Sequence, residues 1–328
     1  MIKDDNRWVW DSWYAHDGEF HHAFYLSAPR SLVDPERRHD NARVGHAISR
    51  DLRQWTILAD ALEPGSPGRF DDRAIWTGCV VRDGDVWRMF YTGISEAGGR
   101  SVQRIGQAVS ADLMSWERVS SEPLVAADGR WYSILDRDGD EPFRDPWVFR
   151  HDDGRWHMLV TATDRYGHGC VGHAVSDNLL TWEVRPPLTV GSGFRQLEVV
   201  QPARIDGAWA LVFSCSADDV LASGVRARTG TYSAPADGPL GPFYLHRAEP
   251  VGAEGVYAAR VVESDAGPVL MGFDDATADR PFLGTIGEPL PLALSQRWTL
   301  EVRLEHDRAL GQYRPPRIGE WGRSNRVR

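Results

Sequence analysis

Three stretches of this chain repeat one phrase, and self-similarity at such a period marks a repeat architecture in which like units stack on one another. The copies are Gly45-His46-Ala47-Ile48-Ser49-Arg50-Asp51-Leu52-Arg53-Gln54-Trp55, then Gly106 to Trp116, then Gly172 to Trp182, starting 61 and 66 residues apart. Each reads as a short strand, a turn and a Trp that opens another strand. Before each copy comes an aromatic strand introduced by a Gly turn: Phe20 to Tyr25 after Gly18, Val86 to Tyr91 after Gly84, Trp156 to Val160 after Gly154. Further upstream every unit begins with an apolar run (Trp8 to Tyr14, Ile75 to Val81, Trp147 to Phe149). Each unit is therefore four strands in up-and-down order.

Four strands per repeat describe a propeller blade, a sheet too small to bury both faces until neighbours stack on it. A fourth unit opens at Val199 to Ile205 and Trp209 to Phe213; its degenerate phrase is Gly230-Thr231-Tyr232-Ser233, with Gly241-Pro242-Phe243 in place of the Trp. A fifth runs from Val256 through Phe273 to Trp298, with Gly284 taken as its repeat glycine. Five such units fill the 328 residues. The expected fold is all-β, a five-bladed propeller of four-stranded antiparallel blades forming one domain over 1–328. The rival is a β-sandwich or two small β domains. The Arg-rich stretch 299–328 is expected to be a closing or peripheral tail, with no trailing β-sandwich.

The 14 Trp and 32 Gly suit many short strands joined by tight turns. A net charge of −10 argues against nucleic acid or an anionic membrane as partner. There is no 18-residue apolar run, and the opening residues lack a signal peptide's apolar stretch, so a cytoplasmic location is expected. Cys79, Cys170 and Cys215 are odd in number and lie in or beside strands, which reads as three reduced, buried fillers. Asp136 to Asp140 resembles the start of a calcium loop, but Glu141 stands where such a loop needs Gly and Trp147 where it needs Glu. It reads as a solvated acidic loop, and no metal or cofactor is called for.

In a propeller the innermost strands line the axis, and residues at their starts converge at one end of the tunnel. Those starts are Asp11, Trp76-Thr77, Asp145, Glu198 and Tyr257, which precede their own repeat glycines by 34, 29, 27, 32 and 27 residues. The phase singles out three carboxylates from 47 acidic residues. Carboxylates forced together in a semi-buried funnel perturb one another's pKa, which favours one acid kept protonated and one kept charged. Glycoside hydrolysis needs that arrangement. Taken singly, an Asp that begins a strand is most often a cap or turn residue; the shared phase is what sets these apart.

The words around these acids carry a resemblance. Trp8-Val9-Trp10-Asp11-Ser12-Trp13, continuing through Gly18 to Tyr25, resembles the nucleophile motif of glycoside hydrolase families 68 and 32, the levansucrases, invertases and fructanases. Phe143-Arg144-Asp145-Pro146 matches their Arg-Asp-Pro motif, Gly45 to Ser49 with Trp55 is similar to family 32, and Ile75-Trp76-Thr77-Gly78 resembles its Trp-Ser-Gly segment. There are departures. Glu198 is followed by Val199-Val200-Gln201-Pro202, whereas the families' acid/base segment has Pro two residues on, and Asp11-Ser12-Trp13 leans to the family 68 form.

The resemblance implies that Asp11 is the nucleophile, Glu198 the general acid/base and Asp145 the stabiliser of the transition state in cleavage of β-fructofuranosides. It implies a carbohydrate partner, with Trp10, Trp13, Trp76, Thr77, Arg144 and Tyr257 as substrate-binding candidates. Each Trp could equally be core packing, and Arg144 a structural partner of Asp145. Two alternatives stay open: a pentose-specific, inverting relative resembling family 43, and a non-catalytic carbohydrate-binding propeller. Hydrolysis against transfer, and oligomeric state, have no readable signal.

Overall fold

Short apolar runs that alternate every second residue and end at Gly turns can only pair with their sequence neighbours, and they do so five times. A computed structural model describes residues 1–277 and 280–303. Blade I consists of β1 (Arg7–His16), β2 (His21–Pro29), β3 (Arg43–Ser49) and β4 (Thr56–Ile57); blade II of β5 (Ala74–Asp83), β6 (Val86–Ile94), β7 (Arg104–Ser110) and β8 (Glu117–Arg118). Blade III consists of β9 (Phe143–Arg150), β10 (Trp156–Thr163), β11 (Gly169–Ser176) and β12 (Glu183–Arg185); blade IV of β13 (Glu198–Ile205), β14 (Ala208–Cys215), β15 (Gly230–Ala236) and β16 (Glu249–Pro250). Blade V consists of β17 (Val256–Ser264), β18 (Gly267–Asp274), β19 (Leu290–Leu294) and β20 (Leu300–Val302). Every sheet has four antiparallel strands in sequence order, and the innermost strands β1, β5, β9, β13 and β17 touch in a ring. This is a five-bladed β-propeller.

Each residue of the repeated phrase has a physical task. A Cβ on Gly45 would lie 2.4 Å from the Tyr25 ring, and one on Gly172 2.6 Å from Val160, so the position must be bare. Asp51 Oδ1 accepts the Arg53 and Gln54 amides, and Asp112 and Asn178 hold the same turn in blades II and III. The turn places Leu52, Leu113 and Leu179 at φ 61–63°, where the following Trp ties it down by donating its indole N–H to the leucine carbonyl. Trp116 then packs edge-on against Phe24 of blade I, and Trp182 against Phe90 of blade II. Trp116 and Trp182 are therefore wedges between neighbouring blades.

Blade V departs from the sequence reading. Its turn runs from Ser295 to Trp298, and Trp298, at φ 66°, occupies the leucine position rather than the tryptophan one. Gly284 lies before β19 and packs on Trp8 of blade I, so it is a closure residue and not the repeat glycine. The ring is closed here by the amino terminus: Ile2 exchanges two backbone hydrogen bonds with Ile286, and Val9 donates to the Gly284 carbonyl. Residues 300–302 form the outer strand of blade V; residues 304–328, the rest of the expected closing or peripheral tail, lie outside the described residues. The three cysteines are buried and free. Among the described residues no helix is long and apolar enough to cross a membrane.

Candidate active site

All five innermost strands carry a β-bulge near their start, and the bulges build the site. The pairing register slips at Asp11 in β1, at Thr77 in β5, between Arg144 and Trp147 in β9, between Glu198 and Gln201 in β13 and between Tyr257 and Arg260 in β17. A bulge re-aims the side chain it carries. Asp11, Asp145, Val199 and Ala258 sit at positive φ of 30–57°, and Thr77 fills the same place in blade II. One residue earlier stand Trp10, Trp76, Arg144, Glu198 and Tyr257. Glu198 is thus one residue out of phase with the two aspartates, a correction to the spacing argument: the bulge residue of its own blade is Val199.

Both rows, Ala258 excepted, open on one cavity of about 510 Å³ at the end of the tunnel. Eight of the nine candidates line it: Trp10, Asp11, Trp76, Thr77, Arg144, Asp145, Glu198 and Tyr257. Trp13 does not. It is fully buried and stacks on Phe24 within blade I, so the expectation that it forms part of a sugar-binding wall is corrected to core packing. Trp13 pairs with Phe24 three residues beyond Trp10 along β1, away from the strand start that opens on the cavity.

Asp11 is set by blade II. The Thr77 hydroxyl donates to Asp11 Oδ2, the Thr92 hydroxyl donates to the Thr77 carbonyl at 3.1 Å, and Thr92 Oγ1 accepts the Asp145 amide at 2.9 Å. Two threonines of blade II therefore link the Asp11 carboxylate to the Asp145 backbone. Asp145 is buried; the Thr161 hydroxyl stands 2.8 Å from its Oδ2, and Arg144 Nε lies 3.4 Å from the same oxygen. Glu198 is half-buried and bridged differently: Arg144 donates to Oε1 and the Tyr257 hydroxyl donates to Oε2 at 2.5 Å. Gln196 and Gln103 in turn hold the Arg144 guanidinium.

Beneath the acids lies Arg260, a buried cation absent from the sequence-based candidates. It donates to the carbonyls of Val199 at 3.2 Å and Val200 at 2.9 Å and rests over the Trp147 ring. These bonds hold a β-branched residue in the left-handed region, a conformation worth about 1–3 kcal/mol of strain, directly beside Glu198. The Val199 amide is fixed as well, 3.1 Å from Thr161 Oγ1.

The charges are unequal. Burial pushes the Asp11 carboxyl up to about 7; the Thr77 bond opposes the rise, and the charges of Asp145 and Glu198 add to it. Asp145 is also raised, by burial first, with Arg144 opposing. Burial and then Glu198 push the Tyr257 phenol well above its ordinary value, so it stays a donor. Burial likewise lowers His39 to about 3, leaving it neutral.

His39 belongs to a wall that sequence reading missed. The turn Pro35–Asp40 between β2 and β3 brings Glu36, Arg38 and His39 to the rim, and Arg100, Ser101, Gln103, Asp140 and Asp275 complete it from other blades. His39 sits edge-on between Trp10 and Trp76 and accepts the Trp76 indole N–H on its carbonyl at 2.7 Å. The only local signal was Asp34-Pro35-Glu36, a capped start whose Asp34 side chain accepts the Glu36 amide. Asp140, from the run read as a solvated loop, reaches the same rim.

The geometry agrees with a family match. The profile for the glycosyl hydrolases family 32 N-terminal domain covers residues 10–234, more than two thirds of the chain, and takes in Asp11, Asp145 and Glu198. The chain belongs to glycosyl hydrolase family 32. A rice (Oryza sativa subsp. indica) protein, "Beta-fructofuranosidase, insoluble isoenzyme 7", is 34% identical over 154 residues, 45% of this chain and 23% of its own length. A levansucrase of Zymomonas mobilis is 24% identical over 303 residues, 78% of this chain and 69% of the relative. The family 32 chain thus spans about a quarter of the rice relative it matches. In fold it is similar to an inulosucrase from Halalkalicoccus jeotgali bound to kestose, with a TM-score of 0.73 over 91% of this chain and 88% of that one at 23% identity.

Proposed function

We propose that this family 32 chain cleaves β-fructofuranosides with retention, through a covalent fructosyl-enzyme. The observation that carries the reading is the convergence of Asp11, Asp145 and Glu198 from three blades on one cavity, each in a different environment. Asp11 attacks the anomeric carbon, and the Thr77 hydroxyl steadies its ionised form. Glu198, on the more accessible row, protonates the leaving oxygen and then activates the acceptor, water or a sugar. As it stands between Arg144 and Tyr257, both of its oxygens accept bonds. Sugar hydroxyls that engage Arg144 free Oε1 for the proton. Asp145 holds ring hydroxyls and opposes the positive charge of the oxocarbenium-like transition state.

A second reading exchanges the roles. A carboxyl raised to about 7 is the usual mark of a general acid, which favours Asp11 as acid and Glu198 as base in an inverting displacement. The family match supports the first. The test is release of fructose from sucrose, inulin, levan and kestose, with arabinofuranosides as controls, reading the anomeric configuration of the first-formed product. Fructose released with retention, lost in D11N and E198Q variants that still fold, is expected. No fructose from any of the four sinks the proposal, and inversion moves it to the second reading.

A further inference from the structure

The end of the propeller away from the carboxylates holds a set of donors that the chemistry above does not use. In the β9–β10 turn, His151 Nδ1 lies 3.3 Å from Asp153 Oδ1, and His157 Nε2 lies 3.0 Å from Asp153 Oδ2. One donor atom from each of the three can be chosen so that all lie within 4.8 Å of one another. Ligand atoms 2.0–2.1 Å from a tetrahedral zinc ion stand about 3.3 Å apart, so small side-chain rotations bring these three to coordination distance.

Blade I supplies an internal control. There Asp17 Oδ2 lies 3.2 Å from His22 Nε2, and His22 Nδ1 lies 2.9 Å from His46 Nε2. Blade III repeats this relay with Asp153, His157 and His173 at 3.0 and 2.9 Å. The Asp-His-His relay is therefore a device of the fold that stitches β2 to β3 and β10 to β11. What blade III adds is the third donor. In blade I the nearest counterpart, His16, lies tilted against the His21 ring with centroids 4.4 Å apart, and His151–Asp153–His157 is the only such group among the described residues.

We propose that His151, Asp153 and His157 bind a zinc-like divalent transition-metal ion at the β9–β10 turn of blade III. Two imidazoles and a carboxylate suit a borderline ion better than calcium or magnesium. His173, bonded to the far nitrogen of His157, orients that ring as an outer-shell partner. Phe149 braces both histidines, stacked on His157 and edge-on to His151. His151 and Asp153 are partly exposed, which leaves water free to fill a fourth position and gives the ion a path in.

The test is calorimetric titration of the chelator-treated, tag-free full chain with zinc chloride, alongside H151A and H16A. H151A spares the relay and so the fold. Expected are one saturable ion per chain with micromolar or tighter affinity, a weakening of at least about tenfold in H151A, and no change in H16A. Absence of saturable binding, or binding that survives H151A undiminished, overturns the proposal.

Discussion

Blades III and IV place an acid at nearly the same height on neighbouring strands, and one residue of offset gives the two acids opposite characters. Asp145 occupies the bulge position, at φ 57°, buried and held against Thr161. Glu198 stands one residue before the bulge, half-buried, with Arg144 and Tyr257 on its two oxygens. In blade IV the bulge itself is filled by Val199, held in place by Arg260. In these two blades the bulge sorts the acids: its own residue is buried against a threonine, while the residue before it is half-buried and bonded to side chains of the cavity wall.

The harshest way to break this comparison is to move the acid by one position. E198V combined with V199D keeps the number of carboxylates but puts the fourth-blade acid on the bulge, beside Asp145. We expect kcat to fall by roughly 10³-fold, close to the effect of E198A, with the fold retained. Activity within tenfold of the parent would show that position on the bulge does not matter. Asp11 allows a finer cut through pH. If Asp11 is the nucleophile it must be ionised, so kcat/KM falls as pH drops through about 7. The role-exchanged reading requires the reverse, a fall as pH rises through the same value. Because the Thr77 hydroxyl stabilises the ionised form, T77V moves the acid limb upward and costs about tenfold in kcat/KM at pH 6, less at pH 8.

Smaller effects probe the exposed partner. Y257F removes a hydrogen bond to Glu198 and is expected to lower kcat several-fold, roughly 1 kcal/mol, with little change in melting temperature. The last prediction concerns stability. An acid whose folded pKa exceeds its unfolded value binds more protons when folded, so Asp11 costs stability progressively as pH rises from about 4 to about 7. D11N removes that cost. Its melting temperature is expected to exceed the parent's by a few degrees at pH 7.5 and to match it near pH 4, readable by calorimetry at the two pH values.

Much of this was legible in the chain because the repeated phrase encodes packing directly. Its Gly, Asp or Asn, Leu and Trp serve the same contacts in blades I to III, so the ring followed from the spacing. The phase argument brought Asp11, Asp145, Glu198 and Tyr257 to one end of the tunnel, but it could not see the one-residue offset, because bulges shift alternation without leaving a mark in composition. In blade V the phrase is eroded, and the N-terminal strand supplies the closure that the sequence signal lacked. Arg38, His39, Arg100 and Asp275 come from excursions outside the repeat, where no period applies. Arg260 was missed because a lone Arg in a strand looks like a surface residue until the strands are placed around an axis.

The central claim, that Asp11 attacks while Glu198 serves as acid and base, is tested most directly by trapping the intermediate. E198Q treated with a fructosyl fluoride, whose leaving group needs no protonation, should accumulate a fructosyl ester that peptide mapping by mass spectrometry places on Asp11. An ester on Asp145, or an inverted product with no ester at all, would contradict the account.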